Sequence, residues 1–447
     1  MESIQSLSAR PFIFALAFIS FLITPPSAEA VTTQQVTSPG GIKAWFVSDH
    51  TNPILTIKFS FRGGAALDPV GKVGLANMVA GLLDEGAGDL KSRDFQQKLE
   101  DLAIKLNYSS GRDEFRGSLT TLVRNQNLAF KLLHLSLTNP RFDKQPIERI
   151  RSQILVGLKQ KLENPHAIAS QKLFKTLYPN HVYGRPTDGT ISTVTGLNIN
   201  DLRTFVKNRL AKNNLIIGVV GDITPIELGK HLDAIFGKLP AKAASWKIQK
   251  IDPVSKGQVI VIDRDIPQSS ILVAEKGVMR DDPDFYAAYV LNHILGGGSF
   301  TSRLYAEIRE KRGLVYSVST RLYPFENSTL ILGSAGTANK RAHETLSVIK
   351  AEWDRMAIGG IRQKELRDAK TYLTGSFPLR FSSSNQIASM LVGMQTANLP
   401  IDYLQTRNGI IEAISQSNIA RVATKMLKSE NLVTVVVGRP DGIKSSN

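Results

Sequence analysis

Arg309 and Tyr316 are the residues whose types and spacing best fit a piece of chemistry, seven positions apart in the stretch GGGSFTSRLYAEIREKRGLVYSVST that runs from Gly296 to Thr320. A guanidinium and a phenol both donate hydrogen bonds and neither has to change charge. Such a pair can hold a peptide carbonyl and the negative charge that grows on its oxygen during attack. Spacing alone leaves two readings open: a carbonyl-holding pair, or an arginine on a solvated face beside a tyrosine of the core. Gly296, Gly297, Gly298 and Ser299 precede the pair and serve equally as a substrate-facing loop or as a helix stop. They do not form a phosphate cradle, because they follow a helix rather than a strand and no Lys-Ser/Thr comes after them.

Other chemistries lack their residues. The chain has no cysteine, which removes disulfides, thiolate nucleophiles and cysteine-based zinc sites. None of its seven histidines lies three or four residues from another, so no single helix offers two imidazoles to a metal ion. There is no G-x-S-x-G elbow. No hydrolytic site is complete within this chain, and no metal-ligating residues are assigned to it.

For Arg309 and Tyr316 to converge, a helix must carry the first and a strand the second. Thr301 or Ser302 can cap that helix, Leu304, Ile308 and the stem of Arg309 set its spacing, Gly313 ends it, and Val315–Thr320 alternates as a half-buried strand. Before it come strands at Gln258–Asp263 and Ser270–Ala274 and an apolar helix at Asp284–Leu295; after it a strand at Leu330–Ser334, several helices, and a final strand. The first half runs in the same order. It has strands at Gly41–Ser48 and Ile54–Phe61, helices at Val73–Leu83 and Ser92–Leu102 (capped by Ser92), a strand pair at Leu106–Ser110 and Phe115–Leu122, helices, and Leu215–Val220. The segments Leu215–Gly221 (LIIGVVG) and Leu432–Gly438 (LVTVVVG) read as one closing element used twice. The expected fold is α+β: two homologous domains, 31–245 and 257–447, each a mostly antiparallel sheet with helices packed on it and large enough to fold.

The net charge is +16, with Lys and Arg scattered along helices such as Arg149–Lys161 rather than clustered with aromatics. That distribution argues against nucleic acid and favours an acidic partner or acidic peptides. Phe12–Ile23 is an apolar run preceded by Arg10 and followed by Pro25, Pro26, Ala28 and Ala30. Too short to span a membrane comfortably, it reads as a signal peptide of residues 1–30. Cleavage after Ala30 leaves 54 basic and 37 acidic residues, and a soluble exported chain that is periplasmic in a two-membrane bacterium, with no stable membrane span.

The doubled order and several local sequences resemble the pitrilysin (insulinase) family of zinc peptidases, in its short two-domain form, from about Val36 to Arg439. Gly63-Gly64, Leu67-Asp68-Pro69 and Gly74-Leu75-Ala76 match the lead-in to the family's H-x-x-E-H motif. Ser302-Arg303-Leu304 and the run from Ile308 to Ser317 match a segment characteristic of the family. Where the motif belongs, however, this chain reads Asn77-Met78-Val79-Ala80-Gly81, replacing both imidazoles and the general-base glutamate. The family's third ligand, a glutamate, falls near position 158, and Ser152–Leu162 contains no acidic residue.

The resemblance implies a processing-peptidase-like fold and a non-zinc-binding subunit. Arg309 and Tyr316 match the Arg/Tyr pair that in the family faces the zinc and holds the substrate backbone. Gly296–Ser299 resembles, in shorter form, the substrate-gripping loop of the noncatalytic mitochondrial processing peptidase subunit. The expected cofactor is none in this chain and zinc in a partner carrying H-x-x-E-H; the expected substrate is a peptide or unfolded protein. The alternatives are a structural core subunit and a stand-alone peptide-binding module.

Overall fold

The computed structural model describes residues 32–446, so the apolar run at Phe12–Ile23 and the cleavage site at Ala30 lie outside the described residues. Three strands open the first half: β1 (Gln34–Thr37), β2 (Lys43–Ser48) and β3 (Ile54–Arg62). Helix α1 (Leu75–Ala80), the short ribbon of β4 (Gly86–Ala87) and β5 (Leu90–Lys91), α2 (Ser92–Asp101) and the hairpin β6 (Lys105–Ser110) with β7 (Glu114–Leu122) follow. Then come α3 (Gln126–Thr138), α4 (Lys144–Glu163), α5 (Pro165–Leu177), α6 (Ile191–Thr195), α7 (Ile199–Arg209), β8 (Leu215–Gly221) and α8 (Pro225–Phe236). The second half contains β9 (Val259–Ile262), β10 (Gln268–Lys276), α9 (Phe285–Asn292), β11 (Val315–Pro324) and β12 (Thr329–Ala338). It ends with α10 (Ala342–Gly359), α11 (Gln363–Gly375), α12 (Ser384–Thr396), α13 (Tyr403–Glu412), α14 (Gln416–Met426) and β13 (Val433–Val437).

The strands form two main sheets. One has the order β1-β2-β8-β3-β7-β6 and the other β11-β12-β10-β13-β9. Read from β9, the second sheet repeats the last five strands of the first, and the pairing senses agree: β2 with β8 and β9 with β13 are parallel, the remaining pairs antiparallel. The repeated order of elements is therefore a repeated topology, and the two closing strands hold equivalent places in it. The sequence reading missed β1, a four-residue edge strand with one buried side chain, Val36.

Two local expectations need correction. Lys91, not Ser92, stands at the N-cap of α2. The Ser92 hydroxyl instead donates to the Glu85 carboxylate at 2.5 Å. The helix expected at Val73–Leu83 is shorter, because Gly74 takes φ +96°, a left-handed conformation that a helix cannot contain. Asp68 caps it, accepting from the Gly74 N–H at 2.8 Å and the Ala76 N–H at 3.1 Å.

Each half lends a helix to the other half's sheet. From the second half, α12 packs across β8 and β3, and from the first half, α5 packs across β13 and β10. The α12 contact is close: a Cβ on Gly218 of β8 would lie 2.8 Å from the Ala388 carbonyl oxygen and 2.9 Å from Leu391 Cβ. Under α5, Ala169, Leu173 and Leu177 share one buried cluster with Leu272, Ala274, Val433 and Val435. The expectation that length suffices for each half to fold alone does not account for these exchanged faces.

Candidate functional site

Helix α9 is apolar enough to be buried on nearly every side, and its continuation meets the glycines. The chain passes into a π-turn at His293–Gly297 and a 3₁₀ turn at Ser299–Thr301. Gly296 is buried, and a Cβ there would come within 2.8 Å of the backbone N and side chain of Thr320 on β11. Gly298 is half-buried, and its Cβ would lie 2.7 Å from the His293 carbonyl oxygen. Gly297 and Ser299 are exposed, the latter at φ +52°. Gly296 thus lets the helix end close on the sheet, while Gly297 and Ser299 are the members of the run that face outward.

The helix expected after the glycines is a second π-turn, Tyr305–Glu310. Leu304 and Ile308 are fully buried, as their spacing predicts. The wide turn is visible in the bond from Lys311 N–H to the Ala306 carbonyl at 3.0 Å. Leu304, not Thr301 or Ser302, stands at the N-cap of this turn; the buried Ser302 hydroxyl donates to the Ser299 carbonyl at 2.8 Å and accepts a long bond of 3.4 Å from the Tyr305 N–H. Arg303 fixes this segment to the next layer, donating twice to Glu365 at 2.8 Å and once to the Gly360 carbonyl. Burial pushes the Glu365 carboxyl up, but hydrogen bonds from Arg303 and Arg362 outweigh it and hold the group at about 2.

Tyr316 owes its position to a bulge. On β11, Val315 pairs with Thr337 and Ser317 with Gly336, leaving Tyr316 without a partner on β12 and 83% exposed. Arg309 reaches it: the guanidinium carbon lies 5.3 Å from the centre of the Tyr316 ring and 5.0 Å from that of Tyr305, and Nη1 donates to the Tyr305 hydroxyl. Phe300 meets Tyr305 edge-on at 4.9 Å and is itself exposed. Among the described residues Arg309 forms no ion pair, because Glu307 is taken by Lys311 and Arg312. The structure therefore brings the two sequence-selected residues together, as a cation between aromatic rings with its charge uncommitted. Tyr305 is the member that sequence reasoning missed; its place four residues before Arg309 on a helical face was the available signal.

The degenerate motif lies on α1. Met78, Val79 and Ala80 are buried, Asn77 and Gly81 half-buried. A Cβ on Gly81 would meet Ile150 Cγ2 at 3.0 Å, so a methyl group from α4 occupies the space that a larger side chain there needs. Beyond it, burial pushes the Asp84 carboxyl up to about 6, and Glu85 is engaged by Ser92 and Arg149. An amide, an alanine, a glycine and a leucine near the third position do not make a zinc ligand set, and these residues do not fit the metal that the resemblance implies for active members.

Known proteins match this chain along most of its length. Residues 44–191 match the family model described as Insulinase (Peptidase family M16), and residues 196–373 the model described as Peptidase M16 inactive domain. The Helicobacter pylori protein named Non-peptidase homolog YmxG is 26% identical over 393 residues, covering 88% of this chain and 90% of its own. The Bacillus subtilis Uncharacterized zinc protease YmxG is 24% identical over 349 residues, covering 78% of this chain and 84% of its own. A crystal structure of a peptidase M16 inactive domain from Pseudomonas fluorescens superposes with a TM-score of 0.87 at 28% identity, covering 93% of this chain and all of that one.

Proposed function

Because the chain belongs to peptidase family M16, the insulinase or pitrilysin family, and is an inactive-type member of it, we propose that it is the metal-free subunit of an exported heterodimeric zinc metalloendopeptidase. A partner subunit bearing H-x-x-E-H supplies the zinc, its ligands and the general base. This chain supplies substrate contacts: Arg309 attracts the carbonyl oxygen of the scissile peptide, and the Tyr316 hydroxyl donates to that oxygen as negative charge develops. Gly297 and Ser299 leave the backbone open beside them. The observation that carries this reading is the uncommitted guanidinium held against an exposed, bulged tyrosine in a chain whose own α1 lacks ligands.

Export rests on the sequence of residues 1–30, with the periplasm as the compartment in a two-membrane bacterium. No helix among the described residues is long and apolar enough to cross a membrane. The test is a pull-down of the mature chain from its native extract, with zinc content and cleavage of an unfolded peptide assayed in the eluate and in the chain alone. Zinc and cleavage that appear only with a co-eluting H-x-x-E-H protein are the expected result. Stoichiometric zinc in the isolated chain, or no partner and no cleavage, would overturn the proposal; the latter leaves a scaffold or a stand-alone peptide binder.

A further inference from the structure

A cavity of about 460 Å³ opens between α4, α5 and residues 184–192, and it shares no lining residue with the Arg309 site. Leu158 and Leu162 from α4, Phe174 from α5 and Ile191 from α6 give it apolar walls. Arg112, from the turn between β6 and β7, and Arg185 give it positive charge. The Arg112 guanidinium lies among aromatics, 4.4 Å from the centre of the Phe174 ring and 5.8 Å from that of Phe325. Among the described residues it makes one side-chain hydrogen bond, from Nη1 to the Arg185 carbonyl at 3.0 Å, and no ion pair. A guanidinium has five N–H donors in its plane, so a single hydrogen bond to a carbonyl leaves donors for the paired oxygens of a carboxylate.

Arg185 is in a similar state. It donates to the Ala66 and Asp68 carbonyls, its Nε is buried without a partner, and among the described residues it too forms no ion pair. The nearby acids are already engaged. Asp188 pairs with Lys161, and Asp113 accepts from the Tyr183 hydroxyl at 2.6 Å and the Glu326 N–H at 3.1 Å. Burial lowers both guanidiniums from their usual range, and it outweighs the opposing charges of Asp113 and Asp188 on Arg112 and of Asp68 on Arg185. Asp188 lines the cavity, but its charge is met there by Lys161, and Leu158 stands near where the resemblance expects an acidic zinc ligand, so no second carboxylate is added at that position.

We propose that this cavity binds a carboxylate carried on an apolar group, the C-terminal residue of a peptide, with Arg112 as its anchor and the leucines and Phe174 around its side chain. The volume suits a ligand of about that size, and the net charge of +16 draws anionic chain ends toward the surface. The inference goes beyond the subunit role, and its test needs only the isolated chain, so the two can fail separately.

The experiment is fluorescence anisotropy of the mature chain with a labelled short peptide ending in leucine, with its C-terminal amide, and with octanoate as competitor. The acid binds about tenfold more tightly than the amide or better, and that preference disappears in Arg112→Gln. Leu158→Glu, which leaves the Arg112 packing intact, weakens the acid by a similar factor and covers the case in which Arg112→Gln does not fold. Octanoate failing to displace the bound peptide supports the peptide end as the ligand; displacement supports the same carboxylate site with a free aliphatic acid as its source. Equal binding of acid and amide by the native chain, or an acid preference that survives substitution in a folded variant, overturns the proposal.

Discussion

A guanidinium laid against two phenol rings keeps its charge but loses freedom to turn away, and in the role proposed for it this would hold Arg309 ready for a substrate carbonyl. In the proposed heterodimer Arg309→Ala and Tyr316→Phe should each lower kcat about a hundredfold, the usual scale for removing one oxyanion donor, with affinity for the partner unchanged. Tyr316→Phe is the sharper probe, since it keeps the ring beneath the guanidinium and deletes only the hydroxyl; full activity would remove Tyr316 from the mechanism. Glu275 makes a different prediction. It accepts from Trp353 Nε1 at 2.5 Å and from the Lys428 N–H at 3.2 Å, and burial pushes its carboxyl up to about 8. Asp68, pushed up to about 7 by burial, acts in the same sense. Between the ordinary carboxylate range and these values the folded chain holds protons that the unfolded chain has lost, so stability falls as pH rises through that window. Glu275→Gln keeps an acceptor for both donors and cannot ionise. Its urea midpoint should therefore fall less than the native chain's between pH 5 and pH 8, and an identical decline would show that Glu275 does not titrate with unfolding.

The elements explain what the residue spacing could not. Leu304 and Ile308 predict a helix correctly, but their four-residue interval fits an α-turn and a wider π-turn alike; packing of Tyr305 and Ile308 into the core decides between them. The bulge at Tyr316 was equally illegible, because Val315–Thr320 alternates as a regular strand would. The glycines read more clearly as punctuation than as function: Gly296 is required by the approach of α9 to β11, where any side chain would strike Thr320. Gly218 is the corresponding requirement under α12. Gly218→Val should destabilise the chain by about 1–3 kcal/mol through overpacking against Ala388 and Leu391, read as a lower denaturant midpoint at unchanged slope. A neutral effect would mean that α12 shifts freely on the sheet.

Across the whole molecule the repeated topology is tied together by exchange, α5 onto the second sheet and α12 onto the first. Residues 32–245 expressed alone should therefore expose the face of β3 and β8 that α12 covers, bind a hydrophobic dye and aggregate, whereas co-expression with the second half restores a soluble complex. A cooperative thermal transition in the lone first half would refute this. Gene doubling alone predicts two separable domains; the exchanged helices predict that each depends on the other.

The sequence by itself determined the doubled α+β order, the location of the Arg/Tyr pair, and the loss of the zinc motif, because each is written in residue identity or in local periodicity. Only the tertiary structure decided that the pair converges, through a π-turn and a bulge whose extra residues leave no periodic trace. It alone placed Ile150 where a second zinc ligand would need room, and Arg112 with Arg185 beside one cavity. Those are juxtapositions of residues tens of positions apart, set by how helices close on sheets, and no window of sequence contains them.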